Sequence, residues 1–200
     1  CRAVRVPAAE AISRIGSGQR ICLPLCCGLP QTLVENLVAQ SDRLKKVEIV
    51  SGLQIEYPFL ADGLEESFSF RTWQCTPGIR KHLPTGRVKY IPMRQGDAVK
   101  VFGPDGPWPV DVALIQVSPP DRQGYCSLGV SVGHALPLAL RAGLVIAEVN
   151  PRMPRVLGRG FIHLSQIDYL VESERELLEF PSGGEPGEKE KDIGRLAAGL

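Results

Sequence analysis

No stretch of this 200-residue sequence reaches the ~18 to 20 consecutive apolar residues that a membrane-spanning helix needs. Even Ile21 to Leu29 is broken by Pro24 and Gly28. The first residues lack the basic-then-apolar order of a secretory signal. Neither charge sign dominates, since 23 Lys and Arg against 22 Asp and Glu leave a net charge of +1. That balance removes the electrostatic basis for binding nucleic acid or an anionic membrane surface. The cysteines (Cys1, Cys22, Cys26, Cys27, Cys75 and Cys126) contain no CxxC pair. His82, His134 and His163 show no metal-ligand spacing, so neither a zinc site nor a disulfide framework is expected. Nucleophile-elbow GxSxG, P-loop and GxGxxG patterns are all missing. These absences favour reduced, buried thiols in a cytoplasmic protein that meets a small organic ligand.

What is present is alternation of strand-like and helix-like segments. Pro7 to Ile15 predicts a helix, with Ala8, Ala11, Ile12 and Ile15 on one face and Gly16-Ser17-Gly18 ending it. Arg20 to Leu25 predicts a buried strand, Cys26-Cys27-Gly28-Leu29-Pro30 a turn, and Gln31 to Gln40 a second helix. Further strands are expected at Lys46 to Ser51, Ser67 to Thr72 and Arg87 to Pro92, with short helices at Thr76 to Leu83 and Gln95 to Phe102. Asp111 to Val117 and Leu144 to Val149 are near-continuous apolar runs suited to parallel strands covered on both faces. A crossover helix is expected between them at His134 to Ala142, with Pro137 in its first turn, and Ile167 to Glu172 forms the last strand. The pattern predicts an α/β fold with an open, mostly parallel sheet flanked by helices.

Residues 1–180 form the main domain in this reading. Pro181 to Lys191 (PSGGEPGEKEK) is expected to be a solvated linker, and 192–200 the start of a further domain, because Ile193, Leu196, Ala197 and Leu200 make an apolar stripe with no cap after it. The opening Cys1 in place of Met supports the same expectation of a longer polypeptide.

Three turns could carry chemistry. The Cys26 to Pro30 turn, between a strand and a helix start, could offer backbone N–H groups to an anion or serve as an ordinary βα turn. Ser118-Pro119-Pro120-Asp121 leaves the carboxyl end of a strand, where open α/β sheets bind ligands, and Asp121 can cap the turn that follows. Gly124 and Gly129 permit a positive φ or a close backbone approach. Asn150-Pro151-Arg152-Met153-Pro154 leaves the next strand in the same way, so the two loops are expected side by side. Cys126, with His134 and Asp121 near it in sequence, is a conceivable nucleophile, although such proximity fixes no geometry. Glu148, mid-strand in VIAEVN, reads as structural.

The segments SPPDRQGYCSLGVSV (Ser118 to Val132) and VNPRMPRVLGRGFIHLSQIDYLVE (Val149 to Glu172) resemble the N-terminal half of the acetyl-CoA hydrolase/transferase family, which includes the 4-hydroxybutyrate and succinate CoA-transferases. LKKVEIVSGL (Leu44 to Leu53) and the strand-turn-helix around Gly28 add support, and the resemblance runs from about Ala8 to Leu200. It implies a CoA-transferase-like domain in an enzyme that moves CoA between an acyl-CoA thioester and a small carboxylic acid through a glutamyl intermediate. The glutamate and the glycine-rich CoA loops would lie in a C-terminal half beyond Leu200, leaving this chain alone inactive with no catalytic residue of its own. Coenzyme A is then a substrate and no cofactor is tightly bound. The expected partners are acyl-CoA, a small carboxylate and the C-terminal half, in a homo-oligomer. Gly28, Pro30, Ser118, Pro119, Asp121, Gly124, Gly129, Asn150, Met153 and Pro154 are the substrate-pocket residues it suggests, and Cys26-Cys27 departs from the small residues common there. A non-catalytic ligand-binding or regulatory module that kept the fold is the alternative.

Overall fold

The computed structural model describes residues 3–181 and 183–199. Its strands are β1 (Val4–Arg5), β2 (Arg20–Cys22), β3 (Val47–Val50), β4 (Phe68–Thr72), β5 (Val88–Tyr90), β6 (Val112–Val117), β7 (Tyr125–Ser127), β8 (Leu144–Val149), β9 (Phe161–His163) and β10 (Tyr169–Glu172). Its helices are α1 (Ala8–Ser13), α2 (Gln31–Ala39), α3 (Pro77–Arg80), α4 (Ala98–Phe102), α5 (Ala135–Ala139) and α6 (Glu188–Ala198).

Eight strands make one sheet in the order β1-β10-β8-β6-β2-β3-β4-β5, with every pairing parallel. The remaining two, β7 and β9, pair antiparallel. The open parallel α/β fold expected from the sequence is the fold the chain adopts. From β2 the chain builds outward through β3 and β4 to β5, then returns to place β6 on the other side of β2. The order therefore reverses between β2 and β6, and the loops leaving these two strands diverge to opposite faces. A crevice opens at such a point.

Side-chain alternation fills two layers. On one face Ile21, Ile49, Phe70, Val112, Leu114 and Ile146 meet α1 and α2 through Ala11, Ile12, Leu33 and Leu37. On the other, Ala113, Ile115, Val145 and Ala147 pack against Ala135 and Ala139 of α5 and against Cys126 and Ile162 of the small sheet. Farther along that face, Cys22 and Val50 meet Ala98 and Phe102 of α4. All six residues of β6 are buried, as are five of six in β8. That explains their near-continuous apolar sequence, broken only by Gln116 and Glu148.

Several boundaries differ from expectation. The strand predicted to reach Leu25 ends at Cys22, because Pro24 has no N–H to continue the ladder. The helix predicted over His134 to Ala142 is the shorter α5, which holds Pro137 at its third position. The Gln95 to Phe102 helix begins as a 3-10 turn and becomes α-helical only at Ala98, and the last strand starts at Tyr169. Helix α6 starts at Glu188, inside the segment expected to be linker, and all its described residues are exposed. Cys1 and Leu200 lie outside the described residues. Among the described residues no helix is long and apolar enough to cross a membrane.

One polar cluster lies across β2 to β5 on a single face of the sheet. Glu48 of β3 is 6% exposed and accepts bonds from Arg20 Nε at 2.6 Å, an Arg71 guanidinium N–H at 2.8 Å and Lys89 Nζ at 3.0 Å. Burial works to raise its pKa, but the hydrogen bonds from Arg71, Arg20 and Lys89 outweigh it and hold the carboxyl down at about 2. A folded pKa below the unfolded value of 4.5 stabilises the fold above pH 4.5, and this contribution fades as pH falls toward 2. Replacing Glu48 with Gln should therefore cost about 3 kcal/mol at neutral pH. Urea unfolding of both proteins should show the gap shrinking between pH 4.5 and about 2; a gap independent of pH there would refute the ion-pair account.

Candidate functional site

Beneath the crevice lies a second buried carboxylate. Gln116 and Glu148 are register partners at the carboxyl ends of β6 and β8, and continue the face that Leu114 and Ile146 present to α2. Glu148 has no exposed surface. Its carboxylate accepts the Leu33 N–H at 3.2 Å, in the first turn of α2, and the Thr32 hydroxyl at 3.0 Å. Thr32 Oγ1 also lies 2.9 Å from Ser173 Oγ, just past β10. Burial pushes the Glu148 carboxyl up, against the lowering effect of the Leu33 N–H. The anion-binding capacity of the α2 amino terminus is thus taken by the protein's own carboxylate.

Gln116 extends the network by donating to Leu29 O at 2.6 Å and accepting from Asn150 Nδ2 at 2.9 Å. Asn150, also without exposed surface, donates to Arg175 O and accepts from the Arg152 N–H. One polar cluster thereby holds the segments leaving β2, β8 and β10. Those segments wall a cleft of about 1030 Å³. Leu25, Cys26 and Cys27 come from the turn after β2, Val130 to Gly133 from the crossover after β7, Arg152 from the turn after β8, and Glu176 to Phe180 from the chain after β10. Its surfaces are apolar at Leu25, Val130, Val132, Leu177, Leu178 and Phe180. Arg152 is its cation, paired at 3.6 Å with Glu176.

None of the ten residues picked out by sequence lines the cleft itself. Gly28 lies under its floor, where a Cβ would come 2.3 Å from the Ser131 Cβ. Ser131 Oγ in turn accepts the Leu25 N–H at 2.9 Å. Pro30 is buried at the head of α2. The two loops do run side by side: the Asn150 N–H bonds Val117 O at 2.9 Å, and a Cβ on Gly129 (φ 54°) would reach within 2.3 Å of buried Met153 and 2.7 Å of Pro154 O. Ser118 is buried, its hydroxyl accepting the Ser127 N–H, whereas Pro119 is exposed. Asp121 caps its own turn by accepting the N–H groups of Tyr125 and Gln123 and pairs with Arg155. The Tyr125 bond, then others, lowers its pKa. Gly124 (φ 87°) faces His163 in the small sheet. Gly28, Gly129 and Asn150 pack beside the residues that form the walls, whereas Asp121 and Gly124 serve the small sheet.

Sequence reasoning did not find Val130 to Gly133 or Glu176 to Phe180, which have no turn motif and reach the cleft only through sheet order. The available signal was Gln116 and Glu148, two polar residues inside apolar runs. Cys26, in a turn the sequence did single out, takes a left-handed φ of 44° that few side chains adopt and that the sequence does not show. Among the described residues neither Cys126 nor Asp121 hydrogen-bonds His134. Cys126 is buried, and burial pushes its thiol up to about 11. His134 spends both ring nitrogens on Leu23 O and Gln95, and burial holds its pKa down at about 4.

Removing the Glu148 carboxylate should strand the Leu33 N–H, so Glu148→Ala should cost about 2 to 3 kcal/mol. Glu148→Gln should be milder. A raised carboxyl holds its proton longer in the folded state, so stability falls as pH rises from 4.5 through the folded pKa. Urea midpoints of wild type should decline relative to Glu148→Gln across that rise. Parallel curves would show that the carboxyl is not raised.

Comparison with known proteins fits this geometry. Residues 4–180 match the acetyl-CoA hydrolase/transferase N-terminal domain. The chain is 39% identical over 196 residues to 4-hydroxybutyrate coenzyme A transferase of Clostridium kluyveri, covering 98% of this chain and 45% of that protein. It is 30% identical to butyryl-CoA:acetate CoA-transferase of Anaerostipes caccae, over 94% of this chain and 43% of that one. The crystal structure of RipA from Yersinia pestis superposes with a TM-score of 0.87 at 26% identity, over 98% of this chain and 48% of RipA. The chain thus spans less than half the length of these relatives. With the matched domain covering most of its length, the chain belongs to the acetyl-CoA hydrolase/transferase family, whose N-terminal domain it carries.

Proposed function

We propose that this chain supplies part of the acyl or carboxylate pocket of a CoA-transferase, which moves coenzyme A between an acyl-CoA thioester and a small carboxylic acid. The observation that carries the reading is the family match across residues 4–180. The cleft at the sheet reversal supports it, being open at the carboxyl edge where such sheets take ligands and walled by apolar residues that suit a short acyl chain.

In the proposed reaction an enzyme glutamate attacks the thioester carbonyl, forming an acyl-glutamyl anhydride and releasing CoA thiolate. The thiolate then attacks the glutamyl carbonyl, releasing the first acid and leaving a glutamyl-CoA thioester. An incoming carboxylate reverses the sequence. That glutamate is assigned to a C-terminal half of the same enzyme, because the chain covers under half of its relatives. Of the cleft's own acids, Glu176 is paired with Arg152, and both Glu176 and Glu179 are exposed on irregular chain. Glu148 is buried beneath the cleft and committed to α2. Coenzyme A is a substrate here, with no tightly bound cofactor invoked. The reading extends to a cytoplasmic homo-oligomer, in keeping with described cysteines that are all free thiols and with exposed Val156 and Leu157 as apolar surface open to a partner.

The test is acyl exchange between acetyl-CoA and a panel of short carboxylic acids, with the chain alone and with the chain joined to a C-terminal half. The joined protein should turn over at about 1 s⁻¹ or faster and the isolated chain not at all. Turnover by the isolated chain would overturn the missing-half assignment. Silence from the joined protein with every acid would overturn the transferase reading itself.

A further inference from the structure

A second cleft, of about 1060 Å³, opens at the opposite edge of the sheet, where β2, β3, β4 and β5 begin. Its floor is the cluster of Arg20, Glu48, Arg71 and Lys89, one residue from each of four adjacent strands. All three cations converge on the single carboxylate of Glu48, and among the described residues no other acid lies within ion-pair distance of any of them. Two positive charges at the floor therefore have no counter-charge. Elsewhere in the cleft the charges balance, with Lys45 paired to Glu66 and Arg87 to Glu65. The surplus is confined to one spot.

That spot has two further features. The Arg71 guanidinium lies over the Trp108 ring at 4.4 Å from its centroid, so an aromatic plane borders the cations. The Arg71 Nε is buried without an acceptor. Uncompensated, partly desolvated cations are costly unless something answers them. Lys89, whose side chain is 48% exposed, and Arg20 leave the cluster reachable from solvent.

We propose that this cleft binds a compact phosphoryl dianion, either inorganic phosphate or the phosphate of a mononucleotide whose base stacks beside Trp108. Two surplus charges match a dianion, and guanidinium and ammonium donors grip phosphate oxygens from several directions. The site is on the far side of the sheet from the transferase cleft and does not depend on the function assigned there.

Titration should be followed by tryptophan fluorescence and calorimetry at about pH 8, where both inorganic phosphate and a phosphate monoester (second pKa roughly 6) are mainly dianions. Inorganic phosphate and adenosine monophosphate are compared with sodium chloride at matched ionic strength. Saturable phosphate binding beyond the chloride control is expected, weakened about ten-fold or more by Lys89→Met and kept by Lys89→Arg. Tighter binding of the nucleotide than of phosphate, lost in Trp108→Leu, identifies a nucleotide as the source; equal affinity identifies free phosphate. If Lys89→Met fails to fold, Lys46→Met at the rim should weaken binding by a smaller factor through lost long-range attraction. A phosphate response no larger than that of chloride, or one unchanged in Lys89→Met, overturns the proposal.

Discussion

The contact between Glu148 and the first turn of α2 fixes most of what surrounds the candidate site. A carboxylate with no access to water survives only where donors replace its hydration, and the α2 amino terminus supplies them. For this to happen β8 must present Glu148 on the same face as Leu114 and Ile146, and α2 must start where Pro30 leaves the turn. The turn is then pinned by Gln116 through Leu29 O, and Asn150 passes the constraint to the segments after β8 and β10. The cleft walls, irregular in themselves, inherit their positions from this buried cluster.

The two ends of the sheet treat the same side chain in opposite ways. Glu48 and Glu148 are both nearly inaccessible, yet the first is held strongly acidic and the second is pushed toward its neutral form. The difference lies in the neighbours. Three cations surround Glu48, whereas Glu148 meets one backbone N–H and a hydroxyl. Burial opposes ionisation at both, and only direct charge compensation overrides it.

Much of the architecture was legible because periodicity reports burial. The near-continuous apolar runs of β6 and β8 announced strands covered on both faces, and the helical face of Leu33, Val34 and Leu37 announced α2. β1, β7 and β9 were not legible: two or three residues carry no period, and pairing with distant partners is what makes them strands. The turns at Ser118 and Asn150 were correctly placed together at one edge, since parallel neighbours must end together. Their place beside the walls was hidden, because the wall residues come from segments with ordinary sequence that only the strand order brings into place. The departure at Cys26-Cys27 is where a non-glycine residue accepts a left-handed backbone beside the cleft.

The strand order also dictates a sequence of assembly. β2 to β5 pair with successive neighbours and can form as the chain emerges, each contact closing a short loop. β6 then adds to the free side of β2, followed by β8 and β10. β1, although it precedes the other strands in the sequence, has no partner until Tyr169 and Leu170 exist, because Val4 and Arg5 pair with them. Val4 and Arg5 are thus placed only after residues far later in the sequence. Until β10 is made, β1 stays unpaired beside the growing sheet, the kind of waiting interval in which unpaired strands are most vulnerable to wrong partners.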